Sequence, residues 1–186
     1  MERFKIKKQK LDGIITIKPI YFQDHRGYFC ETWNSKNLSL LGFDELMFQD
    51  NESHSGKNVL RGLHYQWDEP MGKLIRVVKG SVLDVCVDIR KNSPTYGQYM
   101  SVVLSDENKL QLWVPPGFAH GILSLEENTI ALYKCSNVYN KDGESGIDPL
   151  DRELNIDWGI THEDIILSTK DSMAQSFSKY KKDPKF

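Results

Sequence analysis

Leu60-Arg61-Gly62-Leu63-His64-Tyr65-Gln66 has the alternation of a β-strand, yet it carries an arginine, a histidine and a glutamine. Successive strand side chains point to opposite faces, so His64 and Gln66 share a face with Leu60, while Leu63, Tyr65 and Trp67 share the other. Strict alternation sets Arg61 opposite His64, but a bulge at Gly62 would re-aim the arginine onto the histidine's side. Segments further on repeat the intrusion. Lys73 and Arg76 flank Leu74-Ile75, and Asp84, Cys86 and Asp88 share a face opposite Leu83, Val85, Val87 and Ile89. Polar residues lining one face of several strands predict a barrel whose interior holds a ligand instead of a fully packed core.

Outward from this strand, Gly and Pro cut the chain into short runs rich in β-branched and aromatic residues. Residues 13–19, 73–79, 81–89, 98–104, 109–114 and 129–135 read as further strands. Breaks such as Lys79-Gly80-Ser81 and Pro115-Pro116-Gly117 suit hairpins, not the helical crossovers of parallel sheets. The expected fold is mainly β, an antiparallel sandwich or barrel with short flanking helices. One helix is expected over 34–42. Another is opened by the capping pattern Ser168-Thr-Lys-Asp171 and runs over about 168–180. Residues 140–159, rich in Gly, Asp and Asn, read as a long ordered loop. With 186 residues, no internal repeat and no low-complexity tract, the chain reads as one domain over 1–186.

Composition narrows the partners. Twenty-four basic residues offset 26 acidic ones to a net charge of −2, spread along the chain, which argues against nucleic acid. Cys30, Cys86 and Cys135 are odd in number and lack CxxC spacing, against a disulfide framework or structural zinc site. Neither an apolar signal core near the N-terminus nor a run of ~18 apolar residues is present, so the expectation is a cytoplasmic protein with no membrane partner.

A second polar landmark is Pro115-Pro-Gly-Phe-Ala-His120. This turn, which delivers a histidine at the mouth of a strand, resembles the second motif of the cupin superfamily. Cupins generally take their other metal ligands from an upstream His-x-His and an acid. Here Gln66 and Lys73 stand in those places. Glutamine is a weak ligand and an ammonium repels a divalent cation, so neither a metal nor another cofactor is expected. Two histidines, a lysine and an arginine in a concave pocket suit proton transfer and anion binding.

Further motifs run in order through nearly the whole chain: Asp24-His-Arg-Gly-Tyr-Phe-Cys-Glu31, Gln49-Asp-Asn51, Asp84-Val-Cys-Val-Asp-Ile-Arg90, Ser93-Pro-Thr-Tyr-Gly97, Tyr133-Lys134, Tyr139 and Ser168-Thr-Lys-Asp171. Together they resemble the cupin-fold sugar-nucleotide epimerases of the dTDP-4-dehydrorhamnose 3,5-epimerase family. The resemblance implies epimerisation at C3 and C5 of a dTDP-linked 4-keto-6-deoxy sugar, in the supply of rhamnose for surface glycans. It implies His64 as base, Asp171 as its partner, Lys73 with His120 at the developing oxyanion, and Tyr133 as acid, with Tyr139 the alternative acid. It implies substrate contacts from Arg61, Gln49, Asn51, Tyr139, Glu144 and Lys170. Arg26 and Glu31 would reach a neighbour's site through exchanged N-terminal strands of a homodimer.

Other readings stay open at this point: a C3-only epimerase, a GDP- or CDP-linked substrate, a metal-dependent cupin, or a non-catalytic sugar-binding module. Asp84 reads equally as a structural carboxylate bonded within the sheet, and the cysteines as small buried fillers. Two positions depart from the family pattern: the loop 143–151 lacks the tryptophan often found before Asp148-Pro149, and Cys30 replaces a bulkier residue.

Overall fold

A computed structural model describes residues 3–186; Met1 and Glu2 lie outside the described residues. Two antiparallel sheets face each other. One has six strands in the order β1 (Phe4–Lys8), β2 (Ile15–Pro19), β10 (Gln111–Val114), β7 (Lys73–Lys79), β12 (Thr129–Cys135) and β5 (Gln49–Ser55). The other has five, in the order β13 (Glu144–Gly146), β6 (Leu60–Gln66), β11 (Phe118–Ser124), β8 (Ser81–Asp88) and β9 (Tyr99–Ser105). A separate hairpin, β3 (Tyr21–Asp24) with β4 (Gly27–Cys30), stands outside both sheets. This is the expected cupin-type β-sandwich.

Alternation along the strands sorts the core into layers. Between the sheets lie Ile75, Val77, Val82, Cys86, Leu112, Val114, Phe118 and Ile122. The outer face of the five-stranded sheet buries Leu63, Tyr65, Val85, Val87 and Leu123 against the C-terminal segment through Trp158, Phe177 and Tyr180. The outer face of the six-stranded sheet packs Leu74 and Trp113 against Phe43 and Leu38 of α1 (Ser35–Ser39). The outer face of the six-stranded sheet also carries Arg76 and Lys134, while the interior between the sheets is apolar at one end and polar at the other.

The bulge expected at Gly62 is present. The β6–β11 register shifts between the pairs His120↔His64 and Ile122↔Arg61, and Arg61 and His64 both line the interior cavity. Gly62 has φ +139°, and a Cβ there would lie 2.5 Å from the Gly121 Cα, so only glycine lets the two backbones approach this closely.

Two expectations are corrected. The helix over about 168–180 is broken into α2 (Thr169–Ser172) and α3 (Phe177–Tyr180). The intervening backbone turns to other partners: the Gln175 carbonyl accepts from the Asp148 N–H, and the Phe177 N–H donates to the Asp151 carboxylate. The loop over 140–159 contains a short strand, β13, which covers the edge of β6. No helix among the described residues is long and apolar enough to cross a membrane.

Candidate active site

The polar end of the interior opens into two adjoining cavities of about 370 and 320 Å³, and His64, Lys73 and Tyr133 line both. Arg61, His120, Lys170 and Asp171 complete the first; Gln49, Asn51, Tyr139 and Glu144 lie around the second. Eleven of the thirteen residues named from sequence thus converge here. Arg26 and Glu31 line neither cavity: Arg26 sits in the turn of the β3–β4 hairpin, bound to Asp24, and Glu31 accepts from Asn37.

Register explains the convergence. His64 on β6 pairs directly with His120 on β11, which pairs in turn with Cys86 on β8. On the facing sheet Lys73 of β7 pairs with Cys135 of β12, and Tyr133 of β12 pairs with Asn51 of β5. Residues two apart share a face, so each strand sends its polar residues to the same end of the interior.

His64 Nε2 lies 2.6 Å from Asp171 Oδ1, joining β6 to α2 across 107 residues of sequence. Ser168 caps α2 by accepting from the Asp171 N–H, which holds the carboxylate in place. Burial opposes ionisation of Asp171, but the His64 contact, the Ser168 side chain and the Gly62 N–H outweigh it and keep the carboxyl below its ordinary range. An ionised carboxylate accepts a proton bond from Nε2–H. That fixes the tautomer in which Nδ1 carries the lone pair.

A second histidine–carboxylate pair was less legible. His120 Nε2 lies 2.9 Å from Asp84 Oδ1, and both residues are buried. Sequence reading left Asp84 undecided between structural and site roles; its signal was the shared face with Cys86 one strand from His120. Its Oδ2 has no hydrogen-bond partner among the described residues. Asp84, Cys86 and His120 bring an oxygen, a sulfur and a nitrogen within 4.8 Å of one another, the one such group of potential metal donors among the described residues. Nearby, His64 bonds Asp171, and the Gln66 amide bonds backbone carbonyls.

Lys73 presents its amine to both cavities. Burial pushes its basicity down, while Cys135, Glu144 and Asp84 pull the other way. Tyr133 is raised by burial first and Cys135 second, so its phenol stays protonated at neutral pH. The Arg61 guanidinium is aimed by Ser55 Oγ and the His54 carbonyl, each 3.0 Å away. At the mouth, the Glu144 carboxylate accepts from Lys170 at 2.6 Å and from the Tyr139 hydroxyl at 3.1 Å. Gln49 and Asn51 bond each other, and the Gln49 amide oxygen also accepts the Tyr139 N–H. Cys135 is more than a filler: it accepts a bond from Asn51 and lines the second cavity.

A family model described as dTDP-4-dehydrorhamnose 3,5-epimerase matches residues 8–179. The enzyme of that name from Methanothermobacter thermautotrophicus is 46% identical over 172 residues, covering 92% of this chain and 93% of its own. The crystal structure of dTDP-4-dehydrorhamnose 3,5-epimerase from Elizabethkingia anophelis superposes with a TM-score of 0.89 at 44% identity, covering 95% and 98% of the two chains. A Legionella pneumophila dTDP-6-deoxy-D-glucose-3,5-epimerase, solved with dTDP-4-keto-L-rhamnose, gives 0.89 at 43% identity over 94% and 93%.

Proposed function

The chain belongs to the dTDP-4-dehydrorhamnose 3,5-epimerase family, and from that premise we propose that its cavity inverts C3 and C5 of a dTDP-linked 4-keto-6-deoxy sugar. The observation that carries this reading is the His64–Asp171 pair, which shares one cavity with Lys73 and Tyr133. In such a sugar the hydrogens on C3 and C5 are both α to the C4 carbonyl. Removing either leaves an enolate, and protonation from the opposite face inverts the centre.

In this reading His64 takes the proton at Nδ1, the nitrogen left free when Nε2 is held by Asp171. Asp171 balances the imidazolium that forms. Lys73 and His120 meet the charge growing on the C4 oxygen, where donors withdrawn from water act more strongly than in solution. Tyr133 returns the proton on the far face. Its hydroxyl has no hydrogen-bond partner among the described residues, whereas that of Tyr139 is engaged by Glu144 and sits on a half-exposed side chain. Tyr133 is therefore assigned the acid and Tyr139 a face for the base of the nucleotide. Arg61 offers its planar fork to the diphosphate, and Gln49, Asn51, Glu144 and Lys170 border its path.

The working unit is proposed to be a homodimer of single-domain chains. The β3–β4 hairpin exposes Tyr28 and Phe29 to 55% and 68%, and a lone two-stranded hairpin is marginal in water. A second copy would cover these aromatics and place Arg26 and Glu31 at its own site. The three free thiols fit the reducing conditions of the cytoplasm.

The test is to incubate the protein with dTDP-4-keto-6-deoxyglucose in D₂O and follow deuterium at C3 and C5 by NMR. Label at both carbons, lost in His64→Asn, is expected. Label at C3 alone would reduce the reaction to a single inversion, and no label at either would withdraw the catalytic roles.

A further inference from the structure

Gln66 stands where a metal-binding cupin would place a ligand, and the proposed chemistry makes no use of it. Its side chain is 4% exposed and fully bonded, and all its partners are backbone groups. Nε2 donates to the carbonyls of Glu69 at 2.7 Å and Val138 at 3.0 Å, and Oε1 accepts the Asn140 N–H at 3.0 Å. Between those last two contacts lies Tyr139, whose own N–H donates to Gln49 Oε1 at 2.8 Å. Two glutamines, one from each sheet, thus hold three consecutive residues, 138–140, in place of a strand ladder. The side chain so fixed is the one that meets Glu144 at the mouth of the second cavity.

We propose that Gln66 is a positioning residue for nucleotide recognition: it clamps 138–140 so that Tyr139 presents its ring at the mouth before substrate arrives. The inference rests on the assignment of Tyr139 to the nucleotide. An amide suits the task because it supplies two donors and an acceptor in one plane. A carboxylate of the same shape supplies acceptors alone and would face the Glu69 and Val138 carbonyls with a negative charge. A loop held in its bound conformation gives up less entropy on binding, so the cost of losing the clamp falls on affinity and not on proton transfer.

Two measurements test this. In the native chain, amide hydrogen exchange followed by NMR should show the Tyr139 and Asn140 N–H groups protected by at least about 10²-fold relative to that of Lys141, although the segment lies at the surface. In Gln66→Glu, KM and the Kd for dTDP should rise about 5- to 10-fold, the loss of one net hydrogen bond's worth of ordering, with the change in kcat much smaller. In a Tyr139→Ala background the same substitution should cost less than about twofold, because the residue it acts through is gone. Unprotected Tyr139 and Asn140 amides would overturn the clamp. So would a fall in kcat matching the rise in KM, or an equal cost in both backgrounds, which would leave Gln66 a structural residue only. If Gln66→Glu does not fold, the exchange measurement on the native chain decides by itself. Failure of the native chain to bind dTDP would instead sink the assignment of Tyr139, while exchange still reports whether the clamp exists.

Discussion

Replacing Asp171 by Asn probes the catalytic pair through its hydrogen bonds. The carboxylate accepts from His64 Nε2 at 2.6 Å, and the Gly62 N–H and the Ser168 hydroxyl are the other donors that favour its ionised form. A carboxamide has one oxygen for those three donors, so its NH₂ group must face one of them. If the oxygen stays with Gly62 and Ser168, the NH₂ meets the imidazole and forces Nε2 to become the acceptor. The ring proton then moves to Nδ1, the nitrogen that should be taking a proton from the sugar. Loss of one positioned base is worth about 10²- to 10⁴-fold in rate, or about 3 to 5 kcal/mol of barrier. Asp171→Asn should therefore slow deuterium incorporation at C3 and C5 by at least about 10²-fold, with the Kd for dTDP within about twofold, since neither residue is assigned to the nucleotide. Because Asp171 acts through His64, the double variant His64→Asn/Asp171→Asn should be no slower than His64→Asn alone. An Asp171→Asn enzyme within about tenfold of the native rate would refute the tautomer argument. A double variant slower than His64→Asn by a further ~10²-fold would show that the carboxylate does separate work.

The remaining expectations concern the acid, the outer loop and the bulge. Tyr133→Phe should cost at least about 10²-fold in kcat, whereas Tyr139→Phe should fall mainly on KM; the reverse split in steady-state kinetics would exchange the two roles. Asp88 is buried and accepts from the Arg90 N–H, the Arg90 guanidinium, Ser93 and Thr95. Burial opposes its ionisation, but those bonds win and bring its pKa from an ordinary 3.8 down to about 2. A depressed carboxylate contributes stability above its unfolded pKa that is lost as pH falls through the folded one; for Asp88 this is about 2.5 kcal/mol, disappearing between about pH 4 and 2. In urea unfolding, Asp88→Asn should lose about 2 to 4 kcal/mol at pH 7 and much less near pH 2; a loss that does not vary with pH would contradict the assignment. Gly62→Ala places a Cβ against the Gly121 backbone at a φ that L-residues avoid. It should cost at least about 2 kcal/mol of stability and reduce turnover together with it, by calorimetry and the deuterium assay.

Legibility followed the range of the forces involved. Alternation is local, so the strands over 73–79 and 129–135 could be read at their observed boundaries, and the shared face of His64 and Gln66 followed from period two. The bulge was legible as a possibility because glycine is the residue such a bulge needs; its direction became clear only once β11 was in register beside it. β5, Gln49–Ser55, was not read as a strand because all seven of its residues are polar or charged; it forms as an edge strand by pairing with β12. The last helix was over-read for the opposite reason. Its cap is real, but Asp148 and Asp151 capture the backbone at 175 and 177, a competition between residues some 26 apart that no local propensity reports. Asp84 could not be assigned before His120 was known to face it.

In the proposed reaction the two histidine–carboxylate pairs and the lysine do the work that a metal ion does in a metal-dependent cupin. A divalent cation in a cupin would supply positive charge at the sugar oxygen and order its ligands in one step. Lysine supplies the charge but orders nothing, because its ammonium is a point charge on a flexible stem. Orientation must then come from elsewhere, and each histidine is held by its own carboxylate, Asp171 from α2 and Asp84 from β8. The same reasoning gives Gln66 its place. The amide at that position bonds backbone groups with every polar atom it has. Burial, which lowers the basicity of Lys73, also removes the water that would screen it. Cys135, Glu144 and Asp84 favour the charged form against that burial, so in the proposed reaction they help to hold the ammonium that faces the enolate.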